Sequence, residues 1–487
     1  EWRGWTFLAA PLQNLLSDTL DRKLRFADEG SAATGFAVRF VGGIRLQAPL
    51  LAIAAPAWST TPHMLRAEDV ALELRYGDLW RAYQGEPIRI HSLQARTLDS
   101  HIERMADGRA SWQFGKTPPP VANPDAPIRL PEFGTLRVRN GVVHYVDAPL
   151  SVNLDATLSL EPGSVGADGQ TASLVKVEAQ GRYRKQPLKI LLASSAVLPS
   201  EGGKTSTLPV AVTLNATVGR AQLDFKGSAP DALQPQNFSG NFSLKGPSLA
   251  AVGDPLGVTL PTTAAFKTNG TLVKTGGRWQ VVVKDATVGA SRLNGAFRYE
   301  SAGRVPMLSG TLRGSRLLLA DLGPVVGTTS AEMADAAAPV ATNTQAQGRV
   351  LPDRAFDLPA LRAMNANVLI NIAEVDLNTR YLEPLQPLSV HLELQGGVLR
   401  LHDLMARTAQ GQLRGEVALD GRAQTALWTA NLRWDAVRLE RWLKITRANG
   451  APPYVSGQLH GEARLAGQGR STAQILASLQ GTARTTL

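Results

Sequence analysis

The sequence has no cysteine, so a disulfide framework, a thiolate zinc or iron–sulfur site and a cysteine nucleophile are all excluded. Metal sites built only from oxygen or histidine ligands remain open. The compartment is not fixed on this count, because disulfide-free proteins occur on both sides of a bacterial membrane. Charge is also sparse: 19% of the 487 residues are Asp, Glu, Lys or Arg, against 44% hydrophobic, a balance that excludes a disordered chain. The net charge of +10 is spread over nearly every strand and turn instead of forming a basic run interleaved with aromatics. Nucleic acid is therefore not expected as a partner. Such charges fit a solvated outer face, with attraction to anionic lipid head groups as a second use.

Long hydrophobic runs are missing too. No stretch reaches the ~18 consecutive apolar residues of a membrane span, and the nearest approach, Leu46 to Trp58, is interrupted by Gln47, Pro49 and Pro56. The chain opens at Glu1 and closes at Leu487; a fragment that has lost an anchor or signal is the expectation.

Catalytic signatures are absent in the same way. The seven histidines, His63, His91, His101, His144, His391, His402 and His460, are scattered, and none falls in the His-Glu-x-x-His spacing that puts two ligands on one helical face. They read as polar-face or loop residues. Gly202-Gly203-Lys204-Thr205 imitates the end of a phosphate loop, but Leu198 stands where the first glycine is required and a strand follows instead of a helix. Acidic residues such as Asp107, Asp147 and Asp420 fall at turns. No catalytic residue, cofactor or metal is expected; an enzyme would need distant polar groups to converge in one pocket.

What is present is periodicity. Leu8, Leu12, Leu15, Leu16, Leu20 and Leu24 recur at helical spacing, with Asn14, Ser17, Asp18 and Asp21 on the other side. Most of the remaining chain alternates with a period of two. Val152, Leu154, Ala156, Leu158 and Leu160 are interleaved with polar residues, as are Val210, Val212, Leu214, Ala216 and Val218, and Leu388, Val390, Leu392 and Leu394. Asp107-Gly108, Asn140-Gly141, Asn269-Gly270, Gly276-Gly277, Gly396-Gly397 and Asp420-Gly421 read as turns, predicting a long antiparallel meander. Short helices are expected at Ser315–Leu322, Ala436–Lys444 and Ser471–Leu479, the last capped by Ser471 and stopped by Gly481.

A local pattern recurs: Phe238-Gly240-Phe242-Leu244, Leu293-Gly295-Phe297-Tyr299, Leu413-Gly415-Val417-Leu419 and Leu459-Gly461-Ala463-Leu465. Each glycine shares a face with its apolar neighbours, which thins that face or permits a bend. Two segments interrupt the meander, the proline-rich 117–131 and the small-residue run 327–349. The expected division is an N-terminal helix over 1–26, a first β-groove over 27–116, a central one over 132–326 and a C-terminal β region over 350–487.

A sheet with one apolar face must cover it, by a second sheet, by closing into a barrel, or by curling into a groove for apolar ligand. About 30 strands at ~4.8 Å spacing extend on the order of 140 Å, a conduit's dimension. Two acyl chains of about 16 carbons cost on the order of 25 kcal/mol to expose to water, at ~0.8 kcal/mol per CH₂. An apolar channel removes most of that barrier. A sandwich with a sealed core is the alternative left open by periodicity.

Several collinear motifs resemble the AsmA-like family of bacterial envelope proteins. They are Trp5-Thr6-Phe7 to Arg25; Ala55-Pro56-Ala57-Trp58 followed by Met64-Leu65-Arg66-Ala67-Glu68-Asp69-Val70; and Asp107-Gly108 through Trp112-Gln113-Phe114. Further on come Gly289 to Gly295, Leu308 to Leu312, Leu317 to Pro324, Val350 to Asp353 and Gly411 to Gly415. The resemblance implies an inner-membrane anchor, a periplasmic body built as a long curved β-groove, and movement of phospholipids toward the outer membrane. It supplies no catalytic residues. The expected lipid-groove residues are Leu154, Leu158, Val212, Leu214, Phe238, Phe242, Leu244, Leu293, Phe297, Val390, Leu392 and Leu394. Expected partners are phospholipids, the inner membrane and outer-membrane or periplasmic proteins. The rival reading is a non-catalytic assembly factor that binds envelope proteins through exposed sheet edges.

Overall fold

A computed structural model of the chain describes residues 5–28, 35–83, 89–114, 132–161, 172–197, 210–230, 237–256, 260, 262–301, 303, 305–322, 356, 358–378, 382–442 and 455–487. The fold is mainly β with a few short helices, and the chain divides into two compact units, Glu1–Pro235 and Gln236–Leu487. The expected linker 117–131 and loop 327–349 lie outside the described residues.

The first unit opens with helix α1 (Ala9–Leu20), whose Leu8, Leu12, Leu16 and Leu20 side pack on Phe26, Phe36, Val38, Leu46 and Ala48. Two expectations there change. Leu15 faces solvent, and the helix ends at Asp21 in the left-handed region (φ 53°), so Leu24 belongs to strand β1 (Leu24–Arg25), paired with Ile53. The strands that follow are β2 (Ala37–Arg39), β3 (Ile44–Ala54), β4 (His63–Leu74), β5 (Arg89–Arg104), β6 (Glu132–Asp147), β7 (Val152–Glu161), β8 (Ala172–Tyr183), β9 (Gln186–Val197), β10 (Val210–Val218) and β11 (Ala221–Ala229). A second helix, α2 (Tyr76–Tyr83), separates β4 from β5.

In the second unit β12 (Asn237–Gly246) and helix α3 (Leu249–Leu256) precede β13 (Phe266–Thr275), β14 (Arg278–Val288), β15 (Ser291–Glu300) and β16 (Met307–Leu318). Helix α4 (Leu358–Ala363) leads into β17 (Asn365–Ile372), β18 (Val375–Asp376), β19 (Leu388–Gln395), β20 (Val398–Thr408), β21 (Gly411–Asp420) and β22 (Ala426–Arg438). Helix α5 (Leu439–Trp442), β23 (Gln458–Gly469), helix α6 (Thr472–Ala477) and β24 (Gln480–Thr486) close it.

Most neighbours pair antiparallel in chain order, as alternation with short turns predicts. The meander is not purely antiparallel, however: β5 pairs parallel with β6, and β16 parallel with β17 and β18. Residues 105–131 and 319–364 connect these strands, and parallel neighbours need such long connections because a hairpin turn cannot join them. The two segments that interrupt the sequence pattern thus fall in the connections where strand direction is preserved.

Local expectations were corrected where pairing outweighs sequence pattern. Asn140-Gly141 and Asn269-Gly270 are not turns but lie inside β6 and β13. Ser315–Leu322 is not a helix: Leu317 and Leu318 pair with Val375 and Asp376, leaving one 3₁₀ turn at Leu319–Asp321. In the Ala436–Lys444 span, β22 runs on to Arg438 and the helix shrinks to α5. Ser471 caps α6 as expected, accepting from Gln474 N at 3.3 Å, but the helix ends at Ala477 and Gly481 sits inside β24.

Gly270 is required by close approach. A Cβ there would overlap the Val282 carbonyl oxygen and stand 3.1 Å from the Phe242 ring. The glycine pairs with Phe242 on one side and Val283 on the other, so the aromatic ring lies over bare backbone. Gly270→Val should destabilise the chain by about 2–3 kcal/mol, because a backbone oxygen within a sheet cannot step aside. Thermal or urea unfolding checks this; an unchanged midpoint would mean that the strands separate freely at this point.

Candidate functional site

The register of the second unit turns separate alternating strands into one surface. Gly240 pairs with Leu272, then in turn come Val281, Phe297, Gly310, Val368, Leu392, Leu401, Val417, Ala430, Leu465 and Gly481. This ladder crosses twelve strands and contains only apolar residues and glycine. Directly paired residues point to the same side of a sheet, so the four glycine-containing repeats found in the sequence all lie on this face. The parallel step from β16 to β17 preserves it, since Gly310 and Val368 are partners there.

The first unit has the same construction. Gly141, Leu158, Val177, Leu192, Leu214 and Phe225 form a continuous row from β6 to β11. A second row runs Tyr145, Leu154, Gly181, Leu188, Val218 and Ala221. Val212 joins the same face, opposite Gly227 and Ser194.

Burial differs along the face. Phe242, Val390 and Leu394 are buried, whereas Leu154, Leu158, Val212, Leu214, Phe238, Leu244, Leu293, Phe297 and Leu392 are only half-buried. Helices account for part of the contrast. Leu358 and Leu361 of α4 and Ile475 of α6 pack with Leu394, Leu419 and Ala426, and Leu392 and Trp428 lean on that cluster. Leu394 is thus locally sealed. Leu293 packs beside Leu317, Ile372 and Val375.

Polar groups mark the margins of the face. Lys274, in register with Phe238 and Trp279, lies 5.8 Å and 5.3 Å from their ring centroids, and burial pushes its ammonium below the usual lysine range. In the first unit Asp147 is fully buried, 2.7 Å from Arg104 Nη2 and accepting from Tyr145 Oη at 2.7 Å. Burial, then Asp147, raises the Tyr145 phenol well above its ordinary pKa. In the second unit buried Asp321 accepts from Ala290 N, Ser291 N and Ser291 Oγ, at 2.9, 2.9 and 2.7 Å.

The opposite face is polar, carrying Arg298, Arg313, Arg400, Arg414 and Arg433 in the alternate register. A cleft of about 420 Å³ between Arg414, Arg433, His460 and Glu462 lies among these charges rather than on the apolar face. The structure also gathers histidines that are scattered in sequence. The His63 and His101 ring centroids are 5.1 Å apart, those of His101 and His144 4.6 Å, and those of His391 and His402 4.4 Å. His402 lies within β20. No spacing rule signals these groups, because each histidine comes from a different strand. Among the described residues no helix is long and apolar enough to cross a membrane.

The AsmA family pattern matches residues 212–487. The AsmA family protein YhjG of Escherichia coli (strain K12) is 26% identical over 315 residues, covering 63% of this chain and 45% of that protein. The chain therefore spans less than half the length of this curated relative. No solved structure matches it. With the pattern covering more than half of its residues, including the whole ladder from β12 to β24, the chain belongs to the AsmA family.

Proposed function

We propose that the apolar sheet face is a passive carrier surface for the acyl chains of glycerophospholipids, in a periplasmic body tethered to the inner membrane and serving outer-membrane lipid homeostasis. Family membership supports the coarser part of this reading, envelope-related lipid transport or assembly. The observation that carries the finer part is the twelve-strand ladder of apolar residues and glycine, most of its side chains half-buried. Such a face reads chains and not head groups, since Val, Leu and Phe offer area without hydrogen bonds. On this reading Lys274, at the margin beside Phe238 and Trp279, would meet a phosphate. The role requires no catalysis: binding relieves the exposure of acyl chains, and gradients or partners at the ends set direction.

A photocrosslinker at Phe242, with neighbouring Ser243 as control, tests this reading in membrane-anchored protein in cells. Phe242 faces Gly270 on the apolar side, whereas Ser243 pairs with Asn269 on the other. Phospholipid attached at Phe242 and not at Ser243 is the expected result. Lipid at neither position, with the protein folded and the probe reactive, would favour a sealed core and the rival assembly factor that works through sheet edges.

A further inference from the structure

The polar face of the first unit carries a second feature, unrelated to the lipid reading. His63 at the start of β4, and Asp99 and His101 two residues apart on β5, bring one ligand atom each to within 4.8 Å of one another. Asp99 and His101 share a face by strand periodicity. A register shift at Ile53/Ala54 breaks the alternation where β4 begins and lets His63 join them. His63 Nε2 lies 3.1 Å from Asp99 Oδ2, and His101 Nδ1 lies 3.5 Å from Asp99 Oδ1. The two imidazoles thus approach different oxygens of one carboxylate, at separations near the ~3.3 Å between neighbouring ligand atoms in a tetrahedral site with bonds of 2.0–2.1 Å, and a small turn of the carboxylate brings one oxygen between them.

A second observation is independent of these distances. His101 Nδ1 and Asp99 Oδ1 are buried from solvent and make no hydrogen bond among the described residues. Polar atoms left in that state are destabilising, and a cation between them would satisfy both. The other histidine group differs on this point. His391 Nε2 is bonded to Asn367 Oδ1 at 2.9 Å, His402 Nδ1 to Asp403 Oδ2 at 2.8 Å, and the Asp403 side chain is 75% exposed. There the named ring and carboxylate atoms all have partners, whereas in the first group only His63 Nε2 and Asp99 Oδ2 do, bonded to each other.

We propose that His63, Asp99 and His101 hold a divalent transition-metal ion of the zinc class, which clips β4 to β5 on the polar face. Two imidazoles and a carboxylate suit zinc and its late first-row neighbours better than magnesium or calcium, which favour all-oxygen shells. His144, stacked on His101 and bonded to Asp155 at 2.6 Å, braces the ring from behind.

The test uses the full chain stripped with EDTA, with Zn²⁺ alone as the probe, in equilibrium dialysis followed by metal analysis. One ion per chain is expected to saturate this site. His63→Asn and His101→Asn should each weaken binding by at least about 100-fold, more than the ~10–100-fold typical of losing an outer-shell partner. His391→Asn should leave it unchanged. No saturable Zn²⁺ on the wild-type chain, an unaltered stoichiometry in the His63→Asn/His101→Asn double variant, or an equal loss in His391→Asn would each overturn the assignment. X-ray absorption at the zinc edge of the loaded wild-type chain needs no variant to fold: a shell with two imidazoles supports the site, and a shell of oxygens alone overturns it.

Discussion

Asp147→Ala is expected to destabilise the chain by about 3–5 kcal/mol, the usual consequence of removing one partner from a buried ion pair. The Asp147 carboxylate accepts from Arg104 Nε and Tyr145 Oη through Oδ2, at 2.8 and 2.7 Å, and from Leu150 N through Oδ1 at 2.9 Å. Without it, the guanidinium stays in a place where only 9% of its side chain reaches solvent. Arg104 and Asp147 are also the last partners in the parallel register of β5 and β6, so the pair fixes a join that no hairpin turn can fix. A melting temperature lower by about 10 °C is the expected readout for a unit of this size. The same substitution at Asp107, whose pair with Arg109 is exposed, should leave melting nearly unchanged. A small effect at Asp147 would mean that the parallel join holds without its ion pair.

The second large effect concerns lipid occupancy. Leu272 lies on the ladder between Gly240 and Val281, half-buried, while the next residue, Val273, is 40% exposed on the polar side opposite Ser239 and Gln280. If the face carries lipid as proposed, Leu272→Asp places a carboxylate against acyl chains, and several kcal/mol of desolvation oppose binding there. About 3 kcal/mol corresponds to roughly a hundred-fold loss of occupancy. Val273→Asp puts the same charge one residue along the chain but on the solvated side, and any phospholipid co-purifying with the chain should not change. Circular dichroism on both variants separates lost binding from lost folding. Equal losses of lipid from two folded variants would contradict the assignment of faces.

Much of the architecture is legible in the residues themselves. Alternation in 152–160, 210–218 and 388–394 gave strands in each case, and all four glycine repeats lie inside strands. Composition excluded thiol chemistry outright. Within each of these strands a period of two separates apolar from polar side chains, because alternation leaves no other arrangement once the strand forms. Periodicity failed where a local signal had two uses. Asn-Gly marks a turn when the chain can reverse, but at Asn269-Gly270 the glycine is needed to admit a ring from the next strand. Leu317 and Leu318 follow a helix-compatible pattern, yet backbone partners at Val375 and Asp376 hold them extended.

By itself, then, the sequence determined that this chain forms strands with one apolar side, since that is a property of neighbours along the chain. Only the tertiary structure decided which strands run parallel, which residues of distant strands align into a row of apolar and glycine positions, and which histidines meet. Those outcomes depend on register, and register is set by contacts between residues far apart in the chain, where a one-residue slip would exchange the two faces.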